Sequence, residues 1–142
     1  MSDSPTSTLP PFSWPVRVYW EDTDAGGVVY YANYLKFLER ARTEWLSALG
    51  LEQDRLVEEA GVVFVVRRVE ADYLRPARFN DRLTVRCELS DLSRVSLTMA
   101  QRVTRGEDVL LEAVVKVACV DRAAFRPARI PPFVMQAFEN GI

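Results

Sequence analysis

The chain contains no histidine. That absence removes the Ser-His-Asp and Cys-His catalytic units. It also removes histidine-ligated zinc and non-haem iron, and any imidazole general base. If the chain is an enzyme, its proton transfers fall to carboxylates, tyrosines, backbone amides or water. Cysteine is nearly missing too. Cys87 and Cys119 stand far apart without CxxC spacing, so no metal site is expected. Each lies in an alternating apolar pattern and reads as a small buried hydrophobe. Lysine is scarce: among 18 Lys and Arg residues only Lys36 and Lys116 are lysine. A GC-rich genome explains that bias, and so does a need for the planar anion-gripping guanidinium. Against 20 Asp and Glu residues the net charge is -2, without the basic surplus of a nucleic-acid binder. No run approaches the ~20 apolar residues of a membrane-spanning helix.

What is present fits one globular domain. A chain of 142 residues is long enough for a single real core. Its first eleven residues are polar and rich in Pro, Ser and Thr, without the basic and apolar regions of a secretory signal. The expected organisation is a disordered tail over 1–12, a single domain over 13–142, and a cytoplasmic address.

Hydrophobic periodicity sets the order of elements. Val16, Val18 and Trp20 alternate with Arg17 and Tyr19 and predict a short strand. From about Ala32 to Leu49 the spacing becomes helical, with Leu35, Leu38, Ala41, Trp45 and Leu49 on one stripe. Gly50 is a natural C-terminal cap, and a short helix is expected from about Glu52 to Ala60. Four period-two stretches follow, over Val62–Leu74, Leu83–Leu89, Val95–Val103 and Val109–Val120, joined by short polar connections that suit antiparallel neighbours. A short helical end covers Phe133–Phe138. Strand, long helix and four antiparallel strands predict an α+β architecture in which one helix covers one face of a curved sheet. One helix of that length cannot cover five long strands, so a second subunit is expected at an edge or face.

The chemically informative stretch runs from Trp20 to Tyr34. It sets the carboxylates Glu21, Asp22 and Asp24 and the pair Gly26-Gly27 just before the longest helix. First-turn N–H groups of a helix lack internal partners, and the helix end carries about half a positive charge. Such an end binds an anion or polarises a carbonyl oxygen. A neighbouring carboxylate can attack that carbonyl or activate water on it. The same acidic residues also suit a cap without chemistry, the commoner role for Glu21 and Asp22. Tyr30 and Tyr34 flank the stretch, either lining a pocket or packing with the hydroxyl outward.

The run from Val18 to Tyr30 (Val-Tyr-Trp-Glu-Asp-Thr-Asp-Ala-Gly-Gly-Val-Val-Tyr), continued by Asn33-Tyr34 and Glu39-Arg-Ala-Arg-Thr-Glu44, closely resembles the hotdog-fold acyl-CoA thioesterases of the 4-hydroxybenzoyl-CoA thioesterase family. The match is nearest to the Tol–Pal-associated subgroup, which Phe64-Val-Val-Arg67, Pro76-Ala-Arg78 and Cys119-Val-Asp121 also resemble. The resemblance spans about Trp14 to Phe138. It implies the hotdog fold, a long central helix wrapped by a curved antiparallel sheet of about five strands, assembled as a homodimer or homotetramer. By motif position Asp24 matches the catalytic aspartate. Tyr31 matches the residue whose backbone N–H polarises the thioester carbonyl, while Gly26 and Gly27 let the loop approach the substrate. Many members of the subgroup carry histidine where this chain has Tyr31, whereas the 4-hydroxybenzoyl-CoA enzyme type can carry tyrosine there. The backbone donor survives that change.

The resemblance thus implies hydrolysis of an acyl-CoA to a free acid and CoA, with Asp24 as nucleophile or general base. No metal or redox cofactor is required, CoA being part of the substrate. Tyr30 and Tyr34 are candidates for the acyl pocket. Arg94, Arg126 and Arg129 are candidates for the CoA phosphates, ahead of Arg75 and Arg78. The alternative is a non-hydrolytic module that binds acyl-CoA or an acyl carrier protein. A hotdog hydratase is disfavoured because it usually needs histidine.

Overall fold

In a computed structural model the described residues run from 9 to 140. Strand β1 (Phe12–Arg17) is followed by a single 3-10 turn at Trp20–Asp22, helix α1 (Asn33–Ala48) and helix α2 (Gln53–Ala60). Strands β2 (Val62–Tyr73), β3 (Arg82–Leu92), β4 (Ser96–Arg105) and β5 (Asp108–Asp121) come next, and helix α3 (Pro132–Asn140) ends the order. The five strands form one antiparallel sheet in the order β1-β3-β4-β5-β2. The α+β arrangement and the strand–helix–four-strand order are as expected.

The sheet has one dry face. From Arg82 to Ser90 of β3 exposure alternates, and Leu83, Val85, Cys87 and Leu89 are buried. Leu97, Met99 and Val103 of β4 and Val115 and Val117 of β5 extend this surface. Against it lies α1, whose buried stripe is Tyr34, Phe37, Leu38, Ala41, Trp45 and Leu46. Leu35, placed on the stripe by its spacing, is 41% exposed. Tyr34 takes the inward position one residue earlier.

The C-terminal end of α1 follows local rules. Gly50 adopts φ 81°, its N–H donates to Ser47 C=O, and Leu51 N–H reaches back to Leu46 C=O. These two bonds make a Schellman cap, which favours glycine at the left-handed position. Inside the helix, the buried Gln101 of β4 donates through Nε2 to Leu38 C=O at 3.1 Å and accepts from Arg42 Nη1 at 3.0 Å. Helix and sheet are thereby joined by polar bonds inside the core. Cys87 and Cys119 are both buried free thiols.

Two expectations change at the N-terminal side. The first strand lies at Phe12–Arg17, and Trp20 belongs to the following turn. The reason is Asp22, which accepts the Tyr19 N–H through Oδ2 at 2.8 Å and closes a 3-10 turn where alternation alone suggests a strand. Pro15 is tolerated because β1 is an edge strand. Within the tail expected over 1–12, Leu9 packs against the core and Phe12 opens β1. Residues 1–8 lie outside the described residues.

The opposite edge is β2. Among the described strands it pairs only with β5, with a bulge between Val66 and Arg68. Its inward row leaves the cover of α1, so Val66 is 48% and Tyr73 46% exposed.

Candidate active site

The stretch before α1 folds as a tight hairpin. Asp24 N–H donates to Val28 C=O at 2.9 Å, Gly27 N–H donates to Asp24 C=O at 3.0 Å, and Thr23 bridges Val29. Gly27 takes φ 83°, a conformation that favours glycine. Gly26 donates its N–H to Asp24 Oδ1 at 2.8 Å, and a Cβ there would lie 3.2 Å from the same oxygen. Gly26 therefore sets the Asp24 carboxylate, and Gly27 closes the turn on the Asp24 backbone. Asp24 is exposed, and among the described residues no hydrogen bond is donated to its Oδ2.

Asp22 has the structural role anticipated for it. It is 6% exposed, and its C=O accepts both the Tyr30 N–H and the Asn33 side-chain amide. Asn33 N–H donates to Tyr30 C=O, so the hairpin is fastened to the first residue of α1. From the other side, Val29 N–H donates to Ala77 C=O, and Val28 bridges Arg78. The Tyr34 hydroxyl accepts the Ala77 N–H at 2.9 Å. Tyr34 is 3% exposed, so it supports the loop from within. The expectation that it lines an acyl pocket gives way to this role.

Tyr31 stands at the mouth of the site and is 62% exposed. Among the described residues no hydrogen bond takes up the N–H of Tyr31 or of Ala32, while the N–H groups on either side are engaged. Two adjacent donors at the start of α1 are therefore open. The Tyr30 hydroxyl is held above its usual range, first by its hydrogen bond and proximity to Tyr31, with further contributions from desolvation and the Asp24 carboxylate. Tyr30, Tyr31 and Asp24 thus share one exposed surface.

The arginines divide into two groups. Arg94 and Arg129 line one concavity of about 480 Å³ with Pro131, Pro132 and Met135, and Ile130 N–H donates to Arg94 C=O. Arg126 lies on the nearby connection, where its C=O accepts Asp121 N–H. All three sit at the end of the sheet where β4 begins. Asp24 sits at the other end, because its hairpin is held by residues 77–78 and Arg105, the last residue of β4, donates to Pro76 C=O. Ten residues of β4 separate the two ends, roughly 30 Å at strand rise. Within one chain the expected phosphate-binding arginines are therefore not beside Asp24. Arg78, ranked lower from sequence, flanks Val28 directly.

Two features escaped the sequence reading. Tyr73, at the end of β2, donates its hydroxyl to Tyr31 C=O at 3.1 Å. Its inward position follows the alternation through Val69 and Ala71, but its partner lies 42 residues away. The second is a groove of about 120 Å³ between α1 and β2, lined among others by Arg42, Phe64, Val66 and Met99. No group of three or more Cys, Asp or Glu residues arranged to hold a metal occurs among the described residues. No described helix is long and apolar enough to cross a membrane.

Comparison with known proteins follows the same lines. The sequence profile of the thioesterase-like superfamily matches residues 18–138. The acyl-CoA thioesterase YbgC of Haemophilus influenzae is 47% identical over 129 residues, covering 91% of this chain and 95% of the relative. The protein of the same name from Helicobacter pylori is 36% identical over 124 residues, covering 81% and 90%. Among solved structures, a probable thioesterase from Bartonella henselae superposes with a TM-score of 0.81 at 35% identity, covering 86% of this chain and all of that one. The fold is that of the hotdog thioesterases, and the chain belongs to the thioesterase-like superfamily.

Proposed function

We propose that the chain hydrolyses acyl-CoA thioesters to a carboxylic acid and CoA at the Asp24 hairpin. The observation that carries this reading is the pair of open N–H groups at Tyr31 and Ala32, on the same short segment as an exposed carboxylate with one free oxygen. The thioester carbonyl oxygen sits against the Tyr31 N–H, where the helix end stabilises developing negative charge. Asp24 then acts in one of two ways. As nucleophile, its carboxylate oxygen bonds to the carbonyl carbon and the C–S bond breaks, leaving a mixed anhydride that water hydrolyses. As general base, it takes a proton from water as the water oxygen attacks the same carbon, and CoA leaves as thiolate. Either route closes without a metal or redox cofactor. Tyr30 and Tyr31 offer the acyl group an aromatic wall.

The β2 edge supports a dimeric assembly. A strand of 12 residues with one unpaired side and a half-exposed apolar row suits a second copy paired antiparallel to it. Antiparallel pairing reverses the ends, so the partner's Arg94 and the partner's Arg129 come to the Asp24 end, where the CoA phosphates need cations. The working unit is then a homodimer, or a homotetramer of two such pairs, acting in the cytoplasm on acyl-CoA. An acyl carrier protein is a second thioester carrier of the same chemistry.

The test is release of free CoA thiol from a panel of acyl-CoAs, with light scattering for assembly. Turnover by the wild type and its loss in Asp24→Asn support the reading. Binding without turnover, or an Asp24→Asn variant as active as wild type, overturns it.

A further inference from the structure

Tyr73 joins the far end of β2 to the start of α1. Its hydroxyl donates to Tyr31 C=O at 3.1 Å. Its ring stands edge-on to those of Tyr31 and Tyr34, with centroids 6.3 and 5.5 Å away. The helix makes no use of that carbonyl. Tyr31 precedes the N-cap residue Ala32, and the first-turn Leu35 N–H donates to Ala32 C=O at 3.2 Å. The peptide unit joining Tyr31 to Ala32 therefore carries a hydroxyl proton on its oxygen and an open N–H on its nitrogen. In a trans peptide these two groups point in opposite directions. A hydrogen bond received by the carbonyl withdraws electron density from the N–H and makes it a stronger donor, as in any polarised chain of hydrogen bonds.

We infer that Tyr73 is a positioning residue for hydrolysis: it fixes and polarises the Tyr31–Ala32 peptide, so that the Ala32 N–H joins the Tyr31 N–H in receiving the thioester oxyanion. The inference rests on the thioesterase reading above. Its chemistry is specific to the transition state. The oxyanion forms only as the carbonyl carbon becomes tetrahedral, so a stronger donor there speeds the chemical step and leaves CoA binding alone. Tyr73 itself touches no reacting atom.

The test uses Tyr73→Phe in the full chain, which keeps the ring and removes the hydroxyl. The expected result is a kcat lower by roughly three- to ten-fold, the scale of weakening rather than deleting one donor. KM for the acyl-CoA and the thermal midpoint are expected to stay at wild-type values. An unchanged kcat overturns the inference. So does a fall in kcat accompanied by a raised KM and a lowered thermal midpoint, which marks a structural role. Should Tyr73→Phe fold poorly, site-specific 3-fluorotyrosine at the same position keeps the shape and strengthens the donor. Its kcat is expected above wild type near neutral pH, and a kcat at or below wild type overturns the inference. A wild type inactive on the whole acyl-CoA panel removes both readings. An active wild type, an inactive Asp24→Asn and an unaltered Tyr73→Phe remove only this one.

Discussion

Gln101 and Arg42 meet inside the fold: the Gln101 Oε1 accepts the Arg42 Nη1 at 3.0 Å while its Nε2 holds Leu38 C=O. Burial pulls the Arg42 guanidinium below its usual range, opposed by the nearby Glu39. Gln101→Leu has nearly the right shape but strands the guanidinium and one carbonyl bond. It is expected to cost about 1–3 kcal/mol in urea unfolding. Removing both partners, in Gln101→Leu with Arg42→Met, is expected to cost less than the sum of the two single changes. Strict additivity in that double-mutant cycle would count against the contact.

Asp24→Asn is expected to lower kcat by at least about a hundred-fold, the usual scale for a lost base or nucleophile. The thermal midpoint is expected to hold, because Asp24 is exposed and its Oδ1 contact to Gly26 survives in the amide. Single turnover in ¹⁸O-water tests the nucleophilic route: label in the Asp24 side chain marks the covalent intermediate, whereas label in the released acid alone arises from the base route and from attack of water on the acyl carbon of the anhydride.

Alkaline stability is expected to depend on Cys87. Burial pushes its thiol up to about 11, against the Gln101 hydrogen bond that lowers it. The folded state thus keeps this proton where an unfolded thiol, near 8.5–9, has lost it. The resulting stability is fully present below that unfolded value. It is lost progressively as pH rises toward 11, by about 2–3 kcal/mol in all. Cys87→Ala is expected to flatten the fall in unfolding free energy between about pH 8.5 and 10. A fall as steep as that of wild type would remove Cys87 as its source. Ellman's reagent is expected to label neither buried cysteine in the native protein at pH 8.

The arginines are read out by shortening the substrate. Arg94→Ala with Arg129→Ala is expected to raise KM for acyl-CoA by about ten-fold with kcat unchanged, the mark of lost ground-state binding. The N-acetylcysteamine thioester of the same acid carries no phosphate, so its KM is expected to stay the same. Arg78→Ala serves as the comparison. If Arg78 alone moves KM for acyl-CoA, the phosphates bind at the near end of the sheet.

The order of elements was legible because two periods, near 3.6 and 2, separate α1 from the strands. The Asp24 hairpin was legible because a diglycine, a carboxylate and a helix start are local. Trp20 was misplaced for a local reason as well: the Asp22 carboxylate competes for the Tyr19 N–H, and alternation cannot show that. The Leu35 and Tyr34 exchange turns on the phase of one helix, where neighbouring apolar residues fit the stripe almost equally well. Tyr73 and the placement of Arg94 and Arg129 lay beyond reach because they depend on strand register and sheet order. Proximity is then decided by pairing across the sheet and not by spacing along the chain.

The length of β4 between Asp24 and the Arg94–Arg129 concavity has a genetic consequence. In the antiparallel pair proposed above, every site takes its carboxylate from one copy and its phosphate-gripping cations from the other. At acyl-CoA concentrations well below KM, a copy carrying Asp24→Asn and a copy carrying Arg94→Ala with Arg129→Ala are each defective alone. Co-expressed, they form mixed pairs in which one site holds both lesions and the other holds none. Intragenic complementation, with activity restored toward half of wild type in each mixed pair, is therefore the expected behaviour of two broken alleles.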